Sequence, residues 1–115
     1  MNIVTDSISV EKLKTMSEKM FNQFVKAVID IDQEIMGVDA ELHSDIEQAL
    51  LEQGSQQGHL WGINIYPNKI KNDTDDWIEF DSMINIRPSW GNNSRFVEDA
   101  LIRKKIINLV KKFIK

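Results

Sequence analysis

The residues best able to do chemistry fall on two candidate strands and the approach to a helix. Over Trp77 to Arg87, strand alternation places Glu79, Asp81, Asn85 and Arg87 on one face. Over Leu60 to Tyr66, Asn64 and Tyr66 share a face, and Glu41 and His43 alternate in the same way just before a candidate helix. If these segments are neighbours, one sheet face gathers two carboxylates, an arginine, amides and a histidine. Side chains two apart on a strand lie about 7 Å apart along it. Carboxylates at that spacing can lean together and raise each other's pKa, or share a hard cation. Such a cation with its waters could hydrolyse a phosphodiester, with Arg87 steadying the developing charge and His43 as base. The structural alternative is the stronger. An antiparallel sheet covered on one face carries polar residues on the other, and Arg87 then pairs across strands with Glu79 or Asp81. Glu79, Asp81, His43 and Arg87 stand as candidate catalytic residues. No residue is assigned to a metal site, and the sequence names no cofactor.

A second set could bind rather than react. Trp90 sits in a polar loop beside Asn92, Asn93 and Arg95, the composition of a partner-contact loop. Asn64, Tyr66, Asn85, Trp90 and Arg95 are the candidate binding residues. His59 lies in a loop beside Gly58 and carries little weight as a ligand. Asp73 to Asp76 lacks the glycine and closing glutamate of a calcium loop. There is no phosphate loop, dinucleotide fingerprint, nucleophile elbow or helical histidine pair. With no cysteine, a disulfide scaffold, a thiol nucleophile and a zinc finger are excluded.

The elements that must position these residues follow from periodicity. Met1 to Ser7 is a lead-in or an edge strand. Ser9 is placed to cap a helix over Val10 to Asn22, where Val10, Leu13, Met16, Met20 and Phe21 form an apolar stripe. Phe24 to Asp32 alternates as a half-buried strand, with Val25, Ala27, Ile29 and Ile31 on one face and Lys26, Asp30 and Asp32 on the other. A turn at Asp32 to Glu34 leads to a strand over Ile35 to Leu42. Ser44 and Glu47 have the spacing of a capping box, and Gly54 closes a helix over Asp45 to Gln53. Leu60 to Tyr66 is a strand ended by Pro67, Asn68 to Asp76 an acidic loop, and Trp77 to Arg87 the longest strand. The last helix runs over Val97 to Phe113, with Leu101, Ile102, Ile106, Leu109, Val110 and Phe113 as its apolar set. The order α-β-β-α-β-β-α, with short links between strands, predicts an α+β fold. It is a small antiparallel sheet of about four strands with helices on one face.

At 115 residues the chain has the size of one domain, and 42% hydrophobic with 28% charged residues is the composition of a globular protein. The formal charge of −4 is unevenly spread. Residues 1–66 hold four lysines against eleven acids, and residues 67–115 hold ten basic residues against seven acids. The excess of cations sits in the last helix, where they favour its C-terminal dipole and solubilise its outer face. A sequence pI near 5.1 argues against nucleic acid as the partner. No apolar run approaches the roughly 18 residues of a membrane span, and Met1 to Val10 lacks the pattern of a signal peptide. A cytoplasmic location without membrane association is expected.

The segments Leu60-Trp61-Gly62-Ile63-Asn64-Ile65-Tyr66-Pro67 and Ile78-Glu79-Phe80-Asp81-Ser82-Met83-Ile84-Asn85-Ile86-Arg87-Pro88 resemble a family of short prokaryotic proteins known as a domain of unknown function. Glu41-Leu42-His43, the Glu52 to Ser55 turn and Ser94-Arg95 fit the same pattern, while the loop at Asn68 to Asp76 is longer here. The resemblance covers nearly the whole chain and implies a stand-alone domain. It supplies no catalytic residue. The expected function is a non-catalytic module that self-associates, as a homodimer through a sheet edge, or binds another protein through the Trp90 loop. A small metal-assisted phosphodiester hydrolase is the alternative, and a nucleic-acid-associated regulator using the basic last helix is the weaker one.

Overall fold

The computed structural model describes residues 1–71 and 73–115. Asn72, which the sequence places in the acidic loop, lies outside the described residues. Five strands, β1 (Asn2–Val4), β2 (Val25–Asp30), β3 (Ile35–Val38), β4 (Leu60–Ile65) and β5 (Ile78–Glu79), form one antiparallel sheet in the order β1-β3-β2-β4-β5. Three helices complete it: α1 (Val10–Ser17), α2 (His43–Glu52) and α3 (Ala100–Phe113). The fold is α+β, as the alternation of patterns predicts.

The first face of the sheet carries the main core. Alternation in β2, β3 and β4 turns Val25, Ala27, Ile29, Met36, Val38, Trp61, Ile63 and Ile65 toward Leu13 and Met16 of α1 and Ile106, Val110 and Phe113 of α3. Each large side chain buried there contributes on the order of 1.5–3 kcal/mol relative to exposure. The second face has its own core. Val28 and Leu60 pack with Ile46 and Leu50 of α2, so helices cover both faces and not one. The reason is the sequence of the second face at that end, where Val28, Gly37, Leu60 and Gly62 are apolar or small. At Gly37 a Cβ would run into the side chain of Ile46, so glycine lets α2 lie against β3.

Several boundaries move. Ser9 caps α1 as expected, its Oγ accepting from the Lys12 amide at 3.1 Å, but the helix stops at Ser17. A 3₁₀ turn follows, and Phe21 and Asn22 take left-handed φ values of 59°. That reversal throws Phe21, assigned to the apolar stripe, into solvent at 90% exposed. The capping box at Ser44 does not form. The helix begins earlier, at His43, with Leu42 as an N-cap that makes no side-chain bond, and Glu47 is drawn instead to Arg87 at 3.2 Å. Gly54 does close α2, at φ 104°.

The largest difference concerns Trp77 to Arg87. Only Ile78 and Glu79 pair as strand, against Ile65 and Asn64. Beyond them Met83–Asn85 and Pro88–Trp90 form 3₁₀ turns. The chain folds back over the free edge of β4, where the side chain of fully buried Asn85 takes the place of a strand. Its Oδ1 accepts from the Gly62 amide at 2.8 Å, and its Nδ2 donates to the Gly62 carbonyl at 3.0 Å and the Arg95 carbonyl at 3.0 Å. Asn92 anchors the same loop. Its Nδ2 reaches the carbonyls of Asn85, Ser94 and Phe96, and its Oδ1 accepts from the Glu98 amide. Backbone groups that no neighbouring strand pairs are thus met by two buried amides, as burial requires. No described helix is long and apolar enough to cross a membrane.

Candidate functional site

The second face of the sheet is only half covered by α2. Beyond the helix N-terminus it opens into a groove of about 580 Å³. Three sheet segments supply its polar groups: Lys26 from β2, Asn64 and Tyr66 from β4 and its end, and Glu79 and Asp81 from β5 and its continuation. His43 and Ser44 enter from the first turn of α2, and Arg95 from the loop before α3. Register explains the meeting, since Asn64 is paired with Lys26 on one side and with Glu79 on the other. Leu42 and Met83, both among the exposed large hydrophobic residues, line it as well, with Phe24 and Ile84.

Glu79 is the hub. One of its carboxylate oxygens, Oε1, accepts from Asn64 Nδ2 at 2.8 Å and from the Tyr66 hydroxyl at 2.9 Å. Burial, then the hydrogen bond and the charge of Glu79, push the Tyr66 phenol up to about 12, so it stays a donor. Asp81 accepts from Arg95 Nε at 2.6 Å, and its backbone carbonyl takes a longer bond from Asn64 Nδ2 at 3.3 Å. The two carboxylates are therefore each engaged by their own donors. Asn64 is buried and its Oδ1 has no partner among the described residues.

His43 is buried, with Nε2 lying 2.8 Å from the Ile63 carbonyl oxygen. A carbonyl only accepts, so Nε2 carries the hydrogen and Nδ1 keeps its lone pair. Burial pushes the imidazole below the ordinary histidine range, while the bond to Ile63 works against that shift. Lys26, Asp81 and Arg95 are all near enough for their charges to act on it.

Six of the residues singled out from the sequence thus meet in this groove: His43, Asn64, Tyr66, Glu79, Asp81 and Arg95. Three do not line it. Asn85 is sealed in the strand edge. Arg87 does not pair with Glu79 or Asp81. It lies buried against Glu47 of α2, its guanidinium carbon 5.1 Å from the Trp61 ring centroid and 5.6 Å from that of Trp90. Trp90 is 55% exposed and lies over Gly58, where an added Cβ would stand 3.1 Å from the indole. Lys26, Ser44, Leu42 and Met83 were missed. Lys26 was legible as a polar-face residue of its strand, but nothing local says which strand lies beside it. Among the described residues no group of three or more His, Cys, Asp or Glu side chains comes together to hold a metal ion.

The basic last helix spends part of its charge internally. Lys111 meets Asp75 at 2.5 Å and Lys112 meets Glu34 at 3.7 Å, while Arg103 donates to the carbonyls of Val97 and Glu98. Asp30, which alternation puts on a polar face, is fully buried at the β2–β3 turn. It accepts from the amides of Asp32 and Gln33 and from the Ser55 hydroxyl, and so ties the hairpin to the end of α2.

A family model described as "Protein of unknown function (DUF5674)" matches residues 2–113, and the chain belongs to that family. No curated protein and no solved structure matches the chain.

Proposed function

We propose that this member of an uncharacterised family is a non-catalytic binding module whose working surface is the groove on the second face of the sheet. The observation that carries the proposal is the composition of that groove. Polar side chains from five separate segments converge in a concavity that also bears exposed Leu42 and Met83. Polar groups that fix orientation beside apolar groups that supply contact area are the anatomy of a recognition site. The hydrolase alternative loses two of its supports. Arg87, which would steady developing charge, is held by Glu47 instead, and the carboxylates already have protein donors. Pairing through a sheet edge draws little support from the edge strands, because β1 has three residues and β5 two, and the Gly62 stretch of β4 is occupied by Asn85.

The test is site-specific photo-crosslinking in cells from Met83, with Leu101 on the exposed side of α3 as the control position. Discrete adducts from Met83 and none from Leu101 are expected. An adduct of twice the protomer mass would make the partner a second copy. Equal labelling from both positions, or none from Met83, would overturn the proposal.

A further inference from the structure

We infer that the groove takes the free carboxyl end of a partner protein's chain, with the terminal carboxylate at the N-terminus of α2 and the last side chain against Leu42 and Met83. The inference rests on the groove being a binding site, and it starts from the donors left unused at the head of that helix. Leu42 makes no side-chain cap, and the amides of His43 and Ser44 have no partner among the described residues. Amides so placed, together with the helix dipole, favour an anion. Lys26 Nζ lies 2.6 Å from the Glu41 carbonyl oxygen and keeps the rest of its donor hydrogens, with no ion-pair partner among the described residues. Arg95 gives only Nε to Asp81, so both of its terminal nitrogens are unused. Lys26 and Arg95 both stand near enough to His43, the first residue of the helix, for their charges to act on it.

Charge agrees. Lys26, Arg95 and Lys69, whose Nζ lies 5.0 Å from the Tyr66 ring centroid, stand against Glu79 and Asp81, an excess of one cation that a single carboxylate cancels. Glu41 and Asp45, the acids flanking the head of α2 in sequence, are not among the residues that line the groove. Asn64 says what else the ligand carries. It is buried in the floor of the groove, and its Oδ1 has no partner among the described residues. Its Nδ2 meets Glu79 Oε1 and the Asp81 carbonyl, which only accept, so the two ends of the amide cannot be exchanged. An N–H beside the carboxylate satisfies Oδ1, and the last peptide bond of a chain supplies both groups together. An inorganic anion brings no such N–H. Exposed Leu42 and Met83 add apolar contact for a last residue with an aliphatic side chain.

The probes are N-acetyl-leucine, N-acetyl-leucine amide and N-acetyl-glutamate amide, titrated into the whole ¹⁵N-labelled protein and followed by amide shifts. N-acetyl-leucine has the carboxylate, the neighbouring N–H and the aliphatic side chain of a chain end. Saturable shifts that include the His43 and Ser44 amides are expected with it. Its amide keeps the shape without the charge, and should bind at least about tenfold more weakly. The glutamate probe moves the carboxylate onto a side chain and should be weaker by a similar factor. A Lys26→Gln, Arg95→Gln double variant should weaken N-acetyl-leucine about tenfold, with the probe comparison standing on unaltered protein should that variant misfold. A folded double variant that binds as before, or equal binding of N-acetyl-leucine and its amide, would overturn the carboxylate assignment. Preference for the glutamate probe would overturn the chain end. Each of these leaves the groove a binding site. Absence of shifts with every probe would overturn the inference outright, and crosslinking from Met83 then decides separately whether the groove binds a partner at all.

Discussion

Replacing Asn85 by alanine should destabilise the protein far more than an ordinary loop substitution. The side chain is fully buried and makes three hydrogen bonds, two to the Gly62 backbone and one to the Arg95 carbonyl. Alanine strips all three and leaves the Gly62 amide and carbonyl unpaired inside the protein, while the Arg95 carbonyl keeps the Ser82 amide. An orphaned buried polar group costs about 1–3 kcal/mol, and water entering the vacated space recovers part of it. The expected loss is about 2–5 kcal/mol, against a total stability of roughly 5–15 kcal/mol for a domain. Asn85→Asp preserves the size and the acceptor for Gly62, but loses both donors and buries a charge. It should be at least as damaging at neutral pH. Urea unfolding followed by circular dichroism measures both, with an unchanged slope showing that stability alone has moved. Hydrogen exchange adds a local readout, because the Gly62 amide should lose protection before the interior of β2 does. A loss below about 1 kcal/mol for Asn85→Ala would refute the idea that this amide replaces a strand.

Tyr66 is the only tyrosine, so alkaline difference absorbance reports on it alone. Its ionisation should centre at about 12, and Glu79→Gln should lower the midpoint while burial keeps it above the usual value of about 10; a wild-type midpoint at the usual value would contradict the hydrogen bond. For His43 the folded imidazole resists protonation, so the unfolded chain binds more protons as pH falls through the ordinary histidine range. Stability should therefore be flat above that range and decline below it by at most about 1.4 kcal/mol per pH unit. His43→Gln should remove this part of the slope in a series of urea midpoints. Gly37→Ala should cost about 1–3 kcal/mol in thermal unfolding despite alanine's better strand entropy, because its methyl meets Ile46; a stabilised variant would place α2 farther from β3.

Much of the local architecture was legible because it rests on neighbours in the chain. The alternation of Val25, Ala27 and Ile29, the run Leu60 to Ile65, the Ser9 cap and the Gly54 stop all correspond to what the chain forms. The apolar stripe of the last helix was legible too, down to buried Ile106, Leu109, Val110 and Phe113, although Leu101 stays 79% exposed. Five groove residues could be named because polar residues at strand spacing mark a face wherever that face ends up, and Arg95 was named from the polar loop that holds Trp90. What only the tertiary structure decided depends on partners far along the sequence. Glu47 abandons the capping box because Arg87, forty residues on, offers a charged bond. Lys26 reaches the groove because β2 happens to pair with β4 in the register that sets it beside Asn64. The segment after Glu79 alternates like a strand, yet it forms an irregular loop in which Met83 and Ile86 stay exposed. Its course is set by Asn85 finding the unpaired backbone of Gly62, and α2 takes the second face because three strands bring Val28, Gly37 and Leu60 together. Periodicity states which side chains share a face. Which face is covered, and by what, is settled by hydrogen bonds and packing between segments that the sequence holds apart.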